Sequence, residues 1–549
     1  MKLFRLLALT GLLAVAGTAC ADLEVTNLNN PDRDRAISTP GDVENLIAGA
    51  YTNVWAVIHY SYPGAAFSTA ADAHSSSWGN WGMRDSGWEP RRPYNNDPSY
   101  SYNNIAETPW GTLYAALAAV RDGFLAIDGG IEIGTNGADT PRAEAFGKFI
   151  QGLAMSYVGL IFDKGFIVDE ASDLENLSFV PYTDVHAAGI AKLTEAEQLA
   201  RSGNFTLPSE WVGFDGSMSS DKFARLISSW RARLRSQVAR SAAERAAVDW
   251  NTVMTDLQNG LGADEDYATF DDGANWAWAR DKLHTAGISG WSRLDVRTYG
   301  PSDQSGSYQA WLGTADPEAR QPFNVDTDDN RVTGGAFDQD GQYIGYIGSS
   351  PFPASRGTYH YSHYLDIRWQ FYSSGFVGRL PTWDPKERNL LMAEAMYRTG
   401  NQGGAMDLVN ASRANGGLAA FTDPSGTAPG ARCVPRTASG ACGDLLEALK
   451  YEKRIELFHY GPYTEFMDDR GWGDLVPGTF TQIPIPGSEL LLLLEDIYTF
   501  GGEAGSEGSA PGIVTDVSPE GIAQKRFAME KYREAIIEAD GGRRGPIAH

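Results

Sequence analysis

The chain has 549 residues, of which 42% are hydrophobic and 11% aromatic, so it can bury a large core. Its 45 basic and 70 acidic residues give a net charge of −25, which argues against nucleic acid and anionic membrane surfaces as partners, since both attract basic patches. The 61 glycines and 27 prolines predict many long loops.

The N-terminus has the pattern of an export signal. In the predicted signal peptide, residues 1–19, an apolar run at 6–16 is followed by small residues and then by Cys20. This arrangement predicts a lipid on Cys20 and a polar tether at 20–40. Gly17 departs from the usual lipid-attachment pattern, so ordinary cleavage that releases a free protein is the alternative.

Helical periodicity dominates the chain and predicts a mainly α fold. Residues 61–109 are the exception near the N-terminus, because they contain five prolines and show no sustained helical period, which predicts a long loop region. The predicted helices cover residues 42–55, 110–127, 142–162, 182–200, 221–241 and 244–257, with further helices after 383.

Two short helices follow Trp383 in a tight hairpin. Asp384 is a predicted N-cap, Pro385 suits the first helical turn, and Glu387 stands where a capping box places a carboxylate. The first helix ends at Gly400 and the second follows at once, so the two lie antiparallel. Such pairs look like tetratricopeptide-type units that stack into a scaffold.

The chain is expected to form one globular body over 41–549. Its scaffold occupies 41–260 and 383–475, and an irregular insertion with a few short strands occupies 261–382, where helical periodicity is lost. The apolar run 490–494 is expected to lie in the core.

A cluster of aromatic and polar residues in the first loop region suits sugar recognition. A pyranose stacks its C–H face on an aromatic ring, while amide, carboxylate and guanidinium groups bind its hydroxyls. The alternative is that these rings only attach the loop to the scaffold. The candidate ligand-binding residues are Trp78, Asn80, Trp81, Arg84, Trp88 and Tyr94.

A second aromatic cluster lies in the insertion and is a candidate second wall of the same pocket. Core packing and an interface with a partner are the alternatives. Its candidate ligand-binding residues are Trp276, Trp278 and Trp291, and it continues through Tyr299, Tyr308 and Trp311.

Two further cysteines, Cys433 and Cys442, enclose a turn-rich loop. In an exported protein they are expected to form a disulfide, and two thiols without a histidine at ligand spacing make a metal site the weaker alternative.

The sequence contains none of the common catalytic motifs, and no metal or cofactor is expected. Residues 326–330 begin like a calcium loop, but Arg331 and Phe337 stand where that loop needs glycine and glutamate. Glu452, Arg454 and Glu456 are interpreted as a structural ion network. A secreted glycan hydrolase remains the alternative from another class, because carboxylates are abundant.

Several motifs in the expected order resemble the SusD/RagB family. They are Leu390–Gly400, Ala405–Arg413, Tyr451–Gly461, the corner Phe466–Trp472 and the segment Gln482–Pro486. The resemblance implies a SusD-like fold and a non-enzymatic, lipid-anchored protein of the outer membrane that faces outward. It also implies capture of a nutrient, a glycan or oligosaccharide in our interpretation, and its delivery to a SusC-type TonB-dependent transporter. A transporter lid without a ligand of its own is a further alternative.

Overall fold

The computed structural model of the chain describes residues 37, 39–59, 61–76, 80–213, 216–271, 292–348, 362–370, 377–461 and 463–502. The predicted signal peptide, Cys20 and most of the tether lie outside the described residues. Within the described ranges, no helix combines the length and the apolar character that a membrane crossing requires.

The described part of the chain is mainly helical, with short strands, as predicted. The long helices form a scaffold, and shorter helices lie in the loops that cover it. The helices are α1 (Pro40–His59), α2 (Ser61–Ala70), α3 (Met83–Gly87), α4 (Asn104–Asp128), α5 (Thr140–Ile161), α6 (Tyr182–Ser202), α7 (Ser209–Val212), α8 (Ser220–Gln237), α9 (Ala242–Ala247), α10 (Trp250–Asn259), α11 (Val296–Tyr299), α12 (Ser307–Leu312), α13 (Pro385–Arg398), α14 (Gln402–Asn415), α15 (Leu445–Leu457), α16 (Thr464–Trp472) and α17 (Gly487–Leu492).

The long helices pack as a continuous series of neighbours. Helix α1 packs on α4, α4 on α5, α5 on α6, α6 on α8, and α8 on α10. The series continues from α10 to α13, which contacts both α14 and α15. Each helix therefore buries its apolar face against the next one, as in stacked helix-pair repeats, and the prediction of a helix-pair scaffold is confirmed.

Glycines allow the closest of these contacts, between α5 and α6. A Cβ atom at Gly152 would lie 2.6 Å from Leu193 Cγ, and one at Gly189 would lie 2.5 Å from Ser156 Oγ. Both separations are too short for packed atoms, so larger residues would push the two helices apart.

Local sequence explains where the later helices begin. The Asp384 side chain accepts a hydrogen bond from the backbone N–H of Lys386 and caps α13, as predicted. Asn401 caps α14 and Asp444 caps α15 in the same way. Glu387 does not complete a capping box, because its carboxylate is buried in an ion pair with Arg233 of α8.

The prediction of a long loop over 61–109 was wrong in part. Helices α2 and α3 lie within this region, and α4 begins at Asn104, six residues before the predicted start. Helix α2 shows no helical period in its sequence, because its buried residues are small ones together with Phe67. Pro109 lies inside α4, where the burial of Ile105 and Ala106 offsets the lost backbone hydrogen bond.

The structure also differs from the prediction at 244–257 and at 490–494. The helix predicted over 244–257 is interrupted. Helix α9 ends at Ala247, and Asp249 caps the separate helix α10. The run 490–494 is not core: Leu490 is buried, but Leu492 and Leu494 are 50% and 57% exposed. Helix α17 is short and presents one face only, so it buries a single leucine of the run.

The strands form two-stranded antiparallel pairs within the described residues. In the pair β6–β10, Asp271 faces Gly378 and Tyr267 faces Trp383, so this pair joins the two ends of the predicted insertion. The strands are β1 (His74–Ser75), β2 (Lys164–Gly165), β3 (Val180–Pro181), β4 (Thr206–Leu207), β5 (Met218–Ser219), β6 (Tyr267–Asp271), β7 (Arg293–Leu294), β8 (Ile344–Tyr346), β9 (Tyr364–Asp366) and β10 (Gly378–Trp383). The pairs are β1–β7, β2–β3, β4–β5, β6–β10 and β8–β9.

The insertion packs on the scaffold through a second hydrophobic core, separate from the main one. Leu294 and Val296 of the insertion share this core with Tyr451 and Ile455 of α15. A further core joins α13, α14 and α15 around Cys433, which is bonded to Cys442, so the predicted disulfide is present.

Candidate functional site

The first loop region presents partly exposed rings on both sides of α3. Trp81 precedes this helix and Trp88 follows it, and both side chains are half-buried. Arg84 lies between them and is exposed. Three of the predicted ligand-binding residues are therefore brought together, and we call Trp81, Arg84 and Trp88 the aromatic surface.

The backbone at Trp81 has a conformation that non-glycine residues seldom adopt. Its φ is 58°, in the left-handed region, and Gly82 follows with a φ of 68°. A left-handed L-residue costs about 1–2 kcal/mol. A side chain at Gly82 would collide with Ile105 of α4, so this turn packs directly on the scaffold. The turn therefore fixes where the Trp81 ring emerges, at a cost in stability.

Cations flank the Trp88 ring. The guanidinium carbon of Arg92 lies 4.4 Å from the ring centroid, and that of Arg84 lies 5.9 Å from it. Both arginines are exposed. The half-buried ring therefore lies against forked hydrogen-bond donors, and an aromatic ring beside such donors is a combination that suits a sugar.

A tyrosine holds α3 in place from below. The Tyr100 hydroxyl donates a 2.7 Å hydrogen bond to Oδ2 of Asp85. Burial, together with this carboxylate, raises the pKa of Tyr100, so the hydroxyl stays protonated and remains a donor. Asp85 is thereby turned toward the loop, 3.5 Å from Arg84.

Buried ion pairs anchor the segment just after Trp88. Glu89 lies 2.8 Å from Arg297 Nη1 and 2.8 Å from Arg320 Nη1, which both belong to the insertion. The guanidinium groups of Arg297 and Arg320 also stack on the Trp311 ring, at 5.0 and 4.5 Å from its centroid. The insertion therefore holds the loop through one carboxylate.

A second buried pair attaches the loop to the end of α2. Both carboxylate oxygens of Asp72 accept hydrogen bonds from Arg91 Nη2, at 2.8 and 2.7 Å. The two side chains are at most 5% exposed. Breaking such a pair leaves a buried charge without its counterion, so the loop is held firmly on both sides of Pro90.

The remaining predicted residues of the first cluster are placed differently. Tyr94 is 6% exposed, packs on Phe480 and belongs to the main core, so it does not share the aromatic surface. The backbone of Asn80 begins the turn Asn80–Gly82. Trp78 lies outside the described residues.

The second aromatic cluster is core in its described part. Tyr299 is fully buried, and Tyr308 and Trp311 are 7% and 4% exposed. The predicted ligand-binding residues Trp276, Trp278 and Trp291 lie outside the described residues, so their role stays a prediction.

The acidic run 326–330 is occupied by arginines. Arg432 pairs with Asp326 and Asp328, and Arg331 pairs with Asp329. Arg331 also pairs with Glu452 and Glu456, as expected of a structural network. Within the described residues, no cluster of three or more His, Cys, Asp or Glu side chains is arranged to hold a metal.

Sequence reasoning missed the arginines that position this site. Arg297 and Arg320 are more than 200 positions away from Glu89, and nothing in their local pattern marks them as its partners. The pair Arg91–Arg92 was a usable signal, because neighbouring residues in an extended segment point to opposite sides. One of them is buried against Asp72 and the other is exposed beside Trp88.

Solved structures resemble this chain in fold. A SusD-like carbohydrate-binding protein from Bacteroides fragilis NCTC 9343 is 13% identical, with a TM-score of 0.51 over 89% of this chain and 98% of that protein. A second SusD-like protein from the same strain is 14% identical, with a TM-score of 0.51 over 81% and 88% of the two chains. No family model and no curated protein matches the sequence. The resemblance to SusD/RagB proteins is therefore confirmed at the level of the fold.

Proposed function

We propose, from the SusD-like fold of this chain, that it is a binding protein that captures a glycan on the aromatic surface. The observation that carries the proposal is the anchoring of this surface. Buried ion pairs of Glu89 and Arg91 hold the loop, while Trp81, Arg84 and Trp88 remain partly exposed. Rings that only filled the core would need no such exposure. One of the proteins that share the fold is described as carbohydrate-binding, which supports the ligand class.

The proposed mechanism is binding without bond cleavage. The Trp88 ring stacks on the apolar face of a sugar, and Arg84 and Arg92 donate hydrogen bonds to its hydroxyls. Because the loop is already held in place, little conformational entropy is lost when the ligand binds. Trp78, Asn80, Trp276, Trp278 and Trp291 remain candidates for extending the surface.

Calorimetric titration of the mature protein with a panel of oligosaccharides and peptides tests this proposal. We expect heat with at least one oligosaccharide, and Trp81→Ala and Trp88→Ala each to weaken its binding by about 1–3 kcal/mol. Phe337→Ala is the matched control, because this ring is 40% exposed and lies elsewhere. Heat with peptides alone, or unchanged affinity in both folded tryptophan variants, would contradict the proposal.

The same preparation tests the enzyme alternative. We expect no turnover of chromogenic glycosides under conditions in which the oligosaccharide binds. Turnover that is abolished by replacing one carboxylate would establish a hydrolase instead.

We further propose that a lipid on Cys20 holds the protein on the outward face of the outer membrane, where it delivers its ligand to a SusC-type TonB-dependent transporter. The N-terminal pattern and the fold support this placement. Mass spectrometry of the mature N-terminus tests the lipid, and co-purification with the barrel encoded beside it tests the partner. An unmodified Cys20 would refute the anchor, and a transporter that never co-purifies would refute the delivery step.

A further inference from the structure

A cleft separate from the aromatic surface lies between the disulfide loop and helices α15 and α16. Its volume is about 250 Å³. Pockets for drug-sized ligands measure about 300–1,000 Å³, so this cleft fits a single sugar or a molecule of similar size. By comparison, a cavity lined by Tyr157, Arg233 and Tyr463 measures about 20 Å³, which is room for one water molecule.

Charged side chains of both signs line the cleft in equal number. The cations are Arg297, Arg436, Lys450 and Arg454, and the anions are Asp72, Glu447, Asp469 and Asp474. A balanced lining favours neither a multiply charged anion nor a free cation.

In two of the cations every side-chain nitrogen already has a protein partner. Arg436 donates to Gln304 and to the carbonyl oxygens of Gly440 and Ala431. Lys450 Nζ lies 3.1 Å from a Glu447 oxygen and 3.0 Å from an Asp474 oxygen. These two residues shape the cleft and have little left to offer a ligand.

The other two cations keep donors available. Arg454 binds Asp469 through Nη2 at 2.6 Å, and Arg297 approaches Glu89 through Nη1 at 2.8 Å. Within the described residues, the remaining guanidinium nitrogens of both arginines make no hydrogen bond. Each side chain is 17% exposed, so these nitrogens are reached from the cleft.

A tyrosine hydroxyl completes this set of donors. Tyr308 lines the cleft, and among the described residues its hydroxyl makes no hydrogen bond. Burial raises the pKa of Tyr308 to about 12, although Arg297 and Arg454 lower it, so the hydroxyl keeps its proton at neutral pH. Both arginines line the same cleft as this hydroxyl.

We propose that this cleft binds a sugar acid through its carboxylate, which Arg297, Arg454 and the Tyr308 hydroxyl hold. The forked donors of arginine match the two oxygens of a carboxylate. The sugar hydroxyls of the same ligand donate to the carboxylates of Asp474 and Glu447, which line the same cleft. A monoanion that carries several hydroxyl donors satisfies both the basic and the acidic residues of the lining, whereas sulfate meets repulsion from the carboxylates.

Calorimetric titration of the mature protein with D-galacturonate, D-glucuronate, D-galactose, sulfate and glycine tests this site. We expect at least one of the two sugar acids to bind, and galactose, which lacks the carboxylate, to bind at least tenfold more weakly. Tyr308→Phe is expected to weaken sugar-acid binding about tenfold, because a hydrogen bond to a charged group is lost. Arg454→Lys is expected to weaken it by a similar factor, since the fork is lost and the charge is kept.

The controls separate this site from the aromatic surface. Tyr346→Phe removes a hydroxyl from a tyrosine that packs on the same core and does not line the cleft, and it should leave the affinity unchanged. None of the three residues of the aromatic surface lines the cleft, so this inference stands if the aromatic surface binds no glycan. Thermal melting confirms that Tyr308→Phe is folded, which we expect because none of the residues that the structure describes bonds this hydroxyl.

Three outcomes would overturn the proposal. The first is the absence of heat with both sugar acids. The second is an affinity for galactose, sulfate or glycine equal to that for the sugar acids. The third is unchanged sugar-acid binding in folded Tyr308→Phe and Arg454→Lys.

Discussion

Two clusters of buried charge differ in what they leave available. In the scaffold, Arg245 of α9 spends its guanidinium nitrogens on Glu394, Asp468 and the carbonyl oxygen of Ser236, and these three charged side chains are at most 4% exposed. Beside the loop, Arg297 is 17% exposed and keeps donors toward a cleft. The first arrangement joins helices, whereas the second keeps hydrogen-bond donors available to a ligand. Each arrangement nevertheless consists of an arginine paired with a buried carboxylate.

The scaffold cluster also explains the motifs that resemble SusD/RagB. Glu394 accepts hydrogen bonds from Arg245 and from the indole Nε1 of Trp472, which lies 3.0 Å away. Asp468 further binds Lys453. The motif residues therefore join α9, α13, α15 and α16, and their role is structural.

Glu394→Gln gives the largest effect that we expect. The change leaves the Arg245 charge buried and only partly compensated, so the free energy of unfolding should fall by about 3–5 kcal/mol. Urea denaturation measures it. Asp326→Asn is the control, because its pair with Arg432 is exposed and should contribute about 1 kcal/mol or less. An equal loss of unfolding free energy in the two variants would show that buried and exposed ion pairs contribute alike.

The pH dependence of stability should differ in sign between two buried carboxylates. Burial raises the pKa of Asp469 to about 7, with Asp474 and Asp468 adding to it, even though Arg454 opposes the shift. The folded state then holds this proton more tightly than the unfolded state does. The contribution of Asp469 to stability is therefore fully present below pH 4, and roughly 4 kcal/mol of it is lost as the pH rises to 7.

Asp469→Asn tests this dependence. The variant should lose less stability than the wild type between pH 4 and 7 when urea denaturation is followed at several pH values. Glu394 provides the opposite case: Arg245 is the main group that lowers its pKa, to about 2, against the effect of burial. Its contribution is present above pH 4.5 and is lost as the pH falls toward 2. A variant that loses as much stability as the wild type between pH 4 and 7 would refute the assignment to Asp469.

The disulfide joins the two regions, since Cys433 lies in the core of the scaffold and the loop it closes lines the cleft. Replacing both Cys433 and Cys442 by serine should lower the free energy of unfolding by roughly 2 kcal/mol, because the bond closes a short loop. Thermal and urea unfolding of the oxidised and reduced wild type provide the comparison. A variant as stable as the oxidised protein would show that the loop is held by its other contacts.

Trp81 gives the smallest and most specific effect. Trp81→Gly and Trp81→Ala both remove the ring, but only glycine adopts the left-handed backbone freely. The glycine variant should therefore be about 1 kcal/mol more stable than the alanine variant, the reverse of the usual order. Urea denaturation of the pair measures it. An alanine variant of equal or greater stability would show that the turn carries no strain.

Local sequence predicted the scaffold because its signals are local. The cap Asp384, the helical spacing and the stop at Gly400 are all recognised within a few residues. Helix α2 was missed because small residues line it without a polar and apolar alternation.

The site depends on pairs that lie far apart in the chain. Glu89 identifies neither Arg297 nor Arg320 as its partner, and the packing of the insertion on α15 brings them together. The absence of a hydrogen-bond partner for the Tyr308 hydroxyl among the described residues follows from the folded chain and from no local sequence pattern. Candidate aromatic residues could be named from composition, whereas the separation of exposed Trp88 from buried Tyr94 required the fold.

The ribbon of β6 and β10 has a consequence for engineering. Since Asp271 and Gly378 face each other, the chain leaves the scaffold and returns to it at one place. A designer can cut both strands there and exchange everything between them as a cassette, provided that the new segment keeps the core shared with α15. A chimaera should keep the loop in place only if its new insertion supplies arginines at the positions of Arg297 and Arg320, because these pair with Glu89 of the recipient protein.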